Sequence, residues 1–421
     1  MRTRPGAVVI GSNLRALGIA RSLGRRGIET WLLYSPGDDP LARASRFVTR
    51  AVPVPRDSSG IVDALLSTAA RHRLDGWTLF PTDDEPAAAL ALAHEALAER
   101  FALTSPAWNA LRYAYHKRLT HCLAERVGAA YPWTRYPRDL VEAAELQCPF
   151  PVLLKPDAKP EDNSFTRAKA WLVRDRPALV AGWVEAAGLV GPAGVMVQEL
   201  VPGGGEDQYS FASLCQAGVA LASLVARRTR QYPRDFGHSS SLVETVDAPE
   251  VERLGRAIVE ALDWNGLVEI EFKRDARDGS YKLLDINARV WTWHALGPRA
   301  GVDFPFLAWR MSQGQVIEPV RAQPGVRWVR LATDIPSAVA AVRAGELSLR
   351  AWVASLQRPR QGAVSAWDDP LPSLVDPVLT VWRMVRRRAR IKPLESQRPR
   401  PLQARPSRPS SRDRSAAREF V

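Results

Sequence analysis

The sequence predicts an α/β fold, and three observations carry that prediction. Residues 6–34 read strand, helix, strand, with apolar residues at helical spacing between two short apolar runs. This pattern is typical of the start of a doubly wound sheet. The alternation of strand and helix patterns continues to about residue 99. Further on, residues 266–289 read as two strands joined by a turn that contains Asp278 and Gly279, which predicts a hairpin.

The predicted hairpin carries the most informative chemical pattern. Glu269 and Glu271 fall on one face of its first strand, because successive side chains of a strand point to opposite faces. Asp285, Asn287 and Arg289 fall on one face of its second strand. If the turn closes, these two faces coincide. Acids packed so closely repel one another unless a cation lies between them, and a hard ion with oxygen ligands, such as Mg²⁺, is the natural occupant.

Composition limits the classes of protein to consider. The 421 residues suffice for two or three domains, and 46% hydrophobic with 24% charged residues is typical of a globular protein. No apolar run approaches the roughly 20 residues of a membrane span, and the amino terminus does not read as a signal peptide, so we place the protein in the cytoplasm. Cys122, Cys148 and Cys215 lack metal-type spacing and are expected to be buried reduced thiols.

The charge is concentrated at the carboxyl end. Residues 383–421 carry thirteen Lys or Arg and three Asp or Glu, a net +10 of the total +13. The high charge therefore does not argue that the folded body binds nucleic acid. From residue 393 onward the composition predicts a disordered tail. For residues 382–390 two alternatives stay open, a solvated segment and a basic helix that contacts an anionic membrane surface.

Lysine is rare, and two lysines stand out. Only seven of the 58 basic residues are lysines. Lys117 lies near the start of a helical pattern at 115–127, and Lys155 ends an apolar strand pattern at 148–156. Where arginine is the default cation, such a lysine suggests contact with phosphate, which a compact point charge can approach end-on. A lone lysine at a strand end is also common, so the pattern alone leaves Lys155 open.

Three other features leave alternatives. The acidic turn 81–85 follows the carboxyl end of a strand, where open α/β sheets bind ligands, but it also reads as a helix N-cap. Arg228 and Arg230 would share one face of a strand and could meet an anionic substrate, with a solvated basic edge as the alternative. His294 either faces an acceptor site or packs with the neighbouring tryptophans.

The order of these pieces resembles the ATP-grasp superfamily. A lysine on an early helix is followed by a strand ending Lys155-Pro156, a Gln-Glu-x-x-Pro-Gly segment at 198–203, Glu271-Phe272, and an acid-x-Asn-x-Arg segment at 285–289. Within the superfamily, this set is similar to the carboxylate–amine ligases and D-aspartate-ligase-like predicted ATP-dependent carboligases, over roughly residues 6–315. The resemblance implies an N-terminal Rossmann-like pre-ATP-grasp domain and a two-lobed ATP-grasp fold that is α+β in its ATP-binding part.

The resemblance also implies a division of the chain. The expected segments are a Rossmann-like domain at 1–105, a small ATP-grasp lobe with its preceding helices at 106–200, a C-terminal ATP-grasp lobe with the metal site at 201–318, a helical extension at 319–392 and a disordered basic tail at 393–421.

The implied cofactors are ATP and Mg²⁺, with Mn²⁺ as an alternative ion, and the family's motifs map onto single residues. By this resemblance Lys117 and Lys155 contact phosphate; Gln198, Glu199 and Val201 form the hinge that holds adenine; Glu206, or its neighbour Asp207, takes the ribose hydroxyls; Glu271, Asp285 and Asn287 bind the metal; and Arg289 steadies the transferred phosphoryl group. The substrate side is not covered by these motifs, and Arg228 and Arg230 are candidates for it only through their predicted strand position.

The implied activity is ligation of a small-molecule carboxylate to an amine through an acyl phosphate, with no nucleic acid as partner. Three departures from the family pattern stand against it. Asp285 replaces the usual glutamate, His116 stands where an aspartate is common, and residues 157–168, where a flexible loop should cover the phosphates, contain no glycine. The alternative is therefore a nucleotide-binding regulatory protein that keeps the ATP site without ligase turnover.

Overall fold

The computed structural model describes residues 5–158, 163–168, 170–232, 239–357 and 360–390. The chain divides into two compact units, 1–382 and 383–421, and of the second only 383–390, at the end of a helix, is described. The domain boundaries expected at 105, 200, 318 and 392 stay predictions. None of the described helices is both long and apolar enough to cross a membrane.

The first described strands form a five-stranded parallel sheet, as the βαβ pattern predicts. Its order is β3-β2-β1-β4-β5, so that the apolar first strand, buried along its whole length, lies at the centre. The side chain of Asn13 accepts hydrogen bonds from the backbone of Arg15 and Ala16 and thereby starts the first helix. The strands are β1 (Ala7–Ile10), β2 (Thr30–Tyr34), β3 (Arg50–Pro53), β4 (Trp77–Pro81) and β5 (Phe101–Leu103); the helices are α1 (Leu14–Gly24), α2 (Ser58–His72), α3 (Asp84–Leu92) and α4 (His94–Ala98).

A second, four-stranded sheet follows, with the order β6-β9-β7-β8. The helix predicted at 115–127 is interrupted at His116, whose extended backbone ends one helix and starts the next, so that Lys117 is a first-turn residue. The elements are α5 (Trp108–Tyr115), α6 (Lys117–Arg126), β6 (Thr134–Arg135), α7 (Leu140–Glu145), β7 (Val152–Pro156), α8 (Ser164–Ala168), β8 (Trp171–Val173), α9 (Arg176–Val190) and β9 (Val195–Glu199).

The remaining described strands form an eight-stranded sheet in the order β14-β13-β10-β11-β12-β16-β17, with β15 beside β11. The elements are β10 (Gln208–Gln216), β11 (Val219–Tyr232), β12 (Ser239–Thr245), α10 (Pro249–Ala261), β13 (Gly266–Arg274), β14 (Tyr281–Asn287), α11 (Phe304–Ser312), β15 (Val320–Arg321), β16 (Arg327–Val329), α12 (Leu331–Arg343), α13 (Leu349–Gln357), β17 (Arg360–Gly362) and α14 (Leu371–Arg390).

Strands β13 and β14 form the antiparallel hairpin that the sequence predicts. Glu269 lies opposite Asn287, and Glu271 lies opposite Asp285. A β-bulge follows, because Phe272 pairs with Leu283 and leaves one residue of β14 without a partner. The bulge lets Asp285 face the same side as Glu271 while Leu283, two residues earlier, packs in the core. The two polar faces therefore coincide.

The first sheet and the large sheet share one hydrophobic core. Leu17 and Ile19 of α1 lie in the same buried cluster as Trp291 and Phe304. Between them, α1 approaches so closely that a Cβ on Gly18 would lie 2.4 Å from Nε2 of His294. His294 donates through Nδ1 to the carbonyl of Trp291 at 3.1 Å, and burial lowers the pKa of His294 to about 3. Of the two alternatives for His294, packing beside the tryptophans is the one observed.

Arg230 corrects one prediction. In β11, Arg228 lies opposite Val243 and Arg230 lies opposite Leu242, so a bulge at Thr229 puts the two arginines on opposite faces. The prediction that they share a face is therefore wrong. The guanidinium of Arg230 donates to both carboxylate oxygens of Asp334, each at 2.8 Å, and the Asp334 side chain is fully buried. Arg230 thus ties the large sheet to α12, and its expected role on the substrate side stays a prediction.

We expect Asp334→Ala to lower the free energy of unfolding by about 3–5 kcal/mol, because it leaves the Arg230 guanidinium without its partner in a buried setting. Urea unfolding followed by circular dichroism measures the change. The matched control is Asp247→Ala, which breaks an ion pair with Arg321 whose side chains are 60% and 46% exposed and which should cost less than about 1 kcal/mol. Equal effects of the two substitutions would contradict a structural role for the Arg230–Asp334 pair.

Candidate nucleotide-binding site

Most of the predicted site residues line one cavity. Its volume is about 790 Å³, and it is lined by strands of the second and the large sheet and by Arg15 and Asp84 from helices α1 and α3. Glu206, which is exposed, and Arg230 are not among its lining residues. The other predicted residues are: Lys117, Lys155, Gln198, Glu199, Val201, Arg228, Glu271, Asp285, Asn287 and Arg289.

Two carboxylates face each other on the floor of the cavity, and each has a cation beside it. The side chain of Lys117, from α6, donates to the carboxylate of Asp285. A guanidinium nitrogen of Arg228, from β11, lies 3.5 Å from one oxygen of Glu271. The amide nitrogen of Asn287 donates to the other Glu271 oxygen at 2.9 Å. Because like charges directly opposite in a hairpin destabilise it, these partners are what allows the pair to form.

Glu269 is the third acid of the hairpin and has a different environment. Its carboxylate is buried and accepts hydrogen bonds from Ser210 and Asn287, both at 3.1 Å. Burial, with the nearby charge of Glu271, raises the pKa of Glu269 to about 8. The surroundings of Glu269 therefore favour its protonated form at neutral pH.

The chemistry of the predicted metal ligands fits Mg²⁺. Within the described part of the chain, no group of three or more His, Cys, Asp or Glu side chains is arranged to hold a metal. The predicted set instead offers two carboxylates and the carbonyl oxygen of Asn287, which accepts from Arg289 at 2.9 Å and has a second lone pair. Mg²⁺ binds proteins through one or two carboxylates and takes its other ligands from water and phosphate.

The ammonium group of Lys155 is suited to bind an anion. Its Nζ donates to the Gln198 side chain at 2.8 Å, and the Gln198 amide nitrogen donates in turn to Thr134 at 3.0 Å. Burial and the nearby charge of Lys117 lower the pKa of Lys155 to about 8. A phosphate in the cavity would compensate both effects.

Solved structures that are similar to this chain decide its fold. They include the L-amino acid ligase from Bacillus licheniformis (18% identical, TM-score 0.57, covering 76% of this chain and 78% of that one) and a biotin carboxylase from Campylobacter jejuni in an ATP-analogue complex (14%, TM-score 0.59, 76% and 74%). The chain has the ATP-grasp fold. The N5-carboxyaminoimidazole synthetase from Staphylococcus aureus is also similar (13%, TM-score 0.58, 76% and 80%).

Sequence comparison points in the same direction. The D-aspartate ligase of Enterococcus faecium is 23% identical over 298 residues, which cover 67% of this chain and 70% of that protein. No family model matches the chain. The ATP-grasp resemblance noted in the sequence is thus confirmed for the fold.

In this ATP-grasp chain the Glu199 side chain anchors the hinge segment. Glu199 accepts from Lys282 at 2.6 Å, from Arg277 at 2.7 Å and from the backbone of Trp133 at 3.0 Å. Burial opposes its ionisation, but the hydrogen bonds from Lys282 and Arg277 outweigh burial and lower the pKa of Glu199. The hinge is therefore fastened to the turn and second strand of the hairpin.

Asp84 belongs to the site, and the sequence had left its role open. Arg289 donates through Nε to Asp84 at 2.7 Å, and both residues line the cavity. Burial opposes the charge of Arg289, but Asp84 and neighbouring acids outweigh burial and raise the pKa of Arg289. The side chain of Asp83 makes no capping bond to α3 and contacts Arg15 instead, at 2.8 Å. The acidic turn therefore serves the site as well as starting α3.

Sequence reasoning missed three cations of the cavity, Arg15, Arg174 and Lys273. Arg15 had no signal beyond its place just after β1. Lys273 had two signals, because it is one of seven lysines and follows Glu269 and Glu271 at two-residue spacing on the same face of β13. Its Nζ donates to the carbonyl of Gly203 at 2.7 Å, which connects β13 to the hinge.

The segment expected to cover the phosphates lies partly outside the described residues. Positions 159–162 and 169 are not described, whereas 164–168 form the short helix α8. The effect of its missing glycines on closure stays a prediction.

We expect Glu199→Gln to lower the free energy of unfolding at pH 7 by about 1–3 kcal/mol, because Lys282 and Arg277 lose a charged acceptor. A carboxylate with a depressed pKa stabilises the fold above its ordinary value, 4.5, and loses this contribution as pH falls through its lower folded value. The difference from the wild type should therefore shrink as pH falls below 4.5.

Urea unfolding at several pH values measures this difference. The control is Glu206→Gln, an exposed glutamate of the same segment, which should change stability by less than about 0.5 kcal/mol. A Glu199→Gln effect that is the same at pH 7 and pH 3 would show that the charge is not what anchors the hinge.

Proposed function

We propose that the protein is an ATP-dependent ligase that joins a carboxylate to an amine through an acyl phosphate. The observation that carries the proposal is the cavity, in which two lysines and an arginine face a pair of carboxylates on an ATP-grasp fold. The similarity to a D-aspartate ligase and to an L-amino acid ligase supports the same reaction class.

The cavity suits a nucleoside triphosphate. ATP carries about four negative charges, which must be neutralised before an anionic nucleophile can approach the γ-phosphate. Lys117, Lys155 and Arg289 supply three positive charges from three different elements. The hinge, with Val201 buried beside it, offers backbone groups and an apolar wall for the adenine.

Glu271, Asp285 and Asn287 would hold Mg²⁺, with Mn²⁺ as an alternative. Bound there, the ion would neutralise phosphate charge and polarise the transferred phosphoryl group. Lys117 now occupies one of these carboxylates. On nucleotide binding we expect its ammonium to turn from Asp285 toward phosphate, since both groups lie in the same cavity.

The reaction needs no nucleophilic side chain. A carboxylate oxygen of the substrate attacks the γ-phosphorus, and ADP leaves. The amine then attacks the acyl carbon, inorganic phosphate leaves, and a C–N bond has formed. Arg289, held by Asp84 and Asn287, is placed to steady the transferred phosphoryl group, and Arg228 to orient the anionic substrate. Positioning and charge neutralisation suffice for such phosphoryl transfer.

The direct test is formation of ADP and phosphate that depends on an acid and an amine together, across a panel of both. We expect Lys155→Ala and Glu271→Ala to lower kcat/KM at least about a hundredfold, as losses of charged groups at a reacting phosphate do. Glu250→Ala, at an exposed glutamate, is the control and should keep full activity. Full activity of Lys155→Ala or Glu271→Ala would remove the assigned roles.

The regulatory alternative gives a different result. A nucleotide-binding protein without turnover would show a magnesium-dependent rise in Tm with ATP. It would release no ADP with any acid and amine of the panel.

The lowered pKa of Lys155 generates a pH prediction. Phosphate binds the ammonium form, so the affinity for ATP should fall as pH rises above about 8, by up to about tenfold per pH unit. At pH 8.5 binding should take up protons, which calorimetry in two buffers of different ionisation enthalpy measures. Lys155→Arg should bind ATP with neither effect, because arginine stays charged. The same pH slope in Lys155→Arg would assign the titration to another group.

A further inference from the structure

Exposed apolar side chains are concentrated in one stretch of the chain. Among the described residues, eleven of the seventeen exposed large hydrophobic side chains lie between positions 331 and 382. Soluble proteins seldom leave large apolar patches uncovered, and such patches mark surfaces that bind something. The cavity has no lining residue in this stretch.

Helix α14 is amphipathic, but its apolar face is exposed to solvent. Its outward residues are 51–71% exposed and, at 100° per residue, fall within an arc of about 100°. They are Leu371, Leu374, Val378, Val381 and Trp382.

The polar residues of α14 are the buried ones. Asp376 and Thr380 are 3% and 5% exposed, and Arg330 donates to the Asp376 carboxylate. The helix therefore attaches to the body through these polar side chains together with Leu379, which packs against the hydrophobic core, and its exposed side is apolar.

Helix α12 repeats this arrangement. Leu331, Ile335 and Val339 recur every four residues and are 41–45% exposed. Asp334 and Ser337 are buried on the other side, where Asp334 accepts from Arg230 and Ser337 donates to the carbonyl of Gln231 at 2.7 Å. Two helices with satisfied polar faces inward and apolar faces outward indicate a surface built for contact.

The turn before α14 supports this reading. Trp367 is 94% exposed, although its neighbours are held in place. Asp368 accepts from Arg25 at 2.7 Å, and Asp369 accepts from Arg21 at 2.8 Å in a buried pair. An indole exposed on an anchored turn cannot be attributed to a loose segment.

The basic sequence that follows this surface indicates which kind of partner it binds. Directly after Trp382 the sequence continues RMVRRRAR, and residues 383–421 carry a net +10. Apolar helical residues, tryptophan and arginine in succession match a phospholipid surface, where side chains enter the acyl boundary and guanidinium groups pair with anionic headgroups. A second copy of this chain fits less well, because two segments of +10 would be brought together.

We propose that the outer C-terminal face, formed by the exposed apolar residues of α12, Trp367 and α14, binds anionic phospholipid membranes peripherally. It lies apart from the proposed ATP cavity, so the two proposals can fail independently.

The experiment uses the full chain and sedimentation with vesicles of phosphatidylcholine, with or without about one-third phosphatidylglycerol. We expect binding to the anionic vesicles, little binding to the neutral ones, and a blue shift of tryptophan emission. The double variant Leu374→Glu/Val378→Glu should bind the anionic vesicles at least about tenfold more weakly. The control Val184→Glu/Val219→Glu changes apolar residues that are exposed elsewhere on the protein, 50% and 59%, and should bind as the wild type.

The other outcomes overturn the proposal. Unchanged binding of Leu374→Glu/Val378→Glu, lost only on deletion of 391–421, would mean that charge alone attracts the chain. A concentration-dependent dimer that this variant abolishes, without vesicle binding, would assign the face to a second copy. Absence of binding to either vesicle would also refute it. Both double variants should keep the wild-type Tm and activity, which separates this test from that of the ligase.

Discussion

Repulsion between Glu271 and Asp285, placed directly opposite each other across one hairpin, is the constraint on which the rest of the site depends. Cations from other elements offset this repulsion, since Lys117 contacts Asp285 and Arg228 approaches Glu271. Burial raises the pKa of the third acid, Glu269, and so favours its protonated form. Under the proposed function, the nucleotide and the divalent cation would each replace an internal partner rather than meet an unpaired charge.

Ion pairs and close packing also tie the hairpin to the elements around it. Arg289 reaches Asp84 at the end of a parallel strand, and this contact requires the first sheet to be fixed against the large one. The shared core and the close approach of Gly18 to His294 provide that fixation. Glu199 fastens the hinge to the hairpin from the other side. The cavity is thus the place where three sheets are tied together by buried or half-buried ion pairs.

Beyond the cavity, ion pairs have a different consequence. Arg230 with Asp334, and Arg330 with Asp376, bind α12 and α14 to the body through polar faces. Hydrophobic burial would normally orient such helices the other way. Ionic attachment leaves their apolar faces available, so one chain combines a cavity lined by charged residues with an uncovered apolar surface.

The sequence by itself determined what depends on neighbours along the chain. The period of two placed Glu269, Glu271, Asp285 and Asn287 on facing sides of a hairpin, and the strand–helix alternation predicted the parallel sheet, because both are local patterns. Ten residues that were predicted from the sequence line one cavity. Only the tertiary structure decided the roles of Arg230, Asp84 and Arg15. A single-residue bulge reverses the face of Arg230, and Asp334, the partner of Arg230, lies 104 residues away in the sequence. Local periodicity cannot predict either feature, because both arise from packing between distant segments.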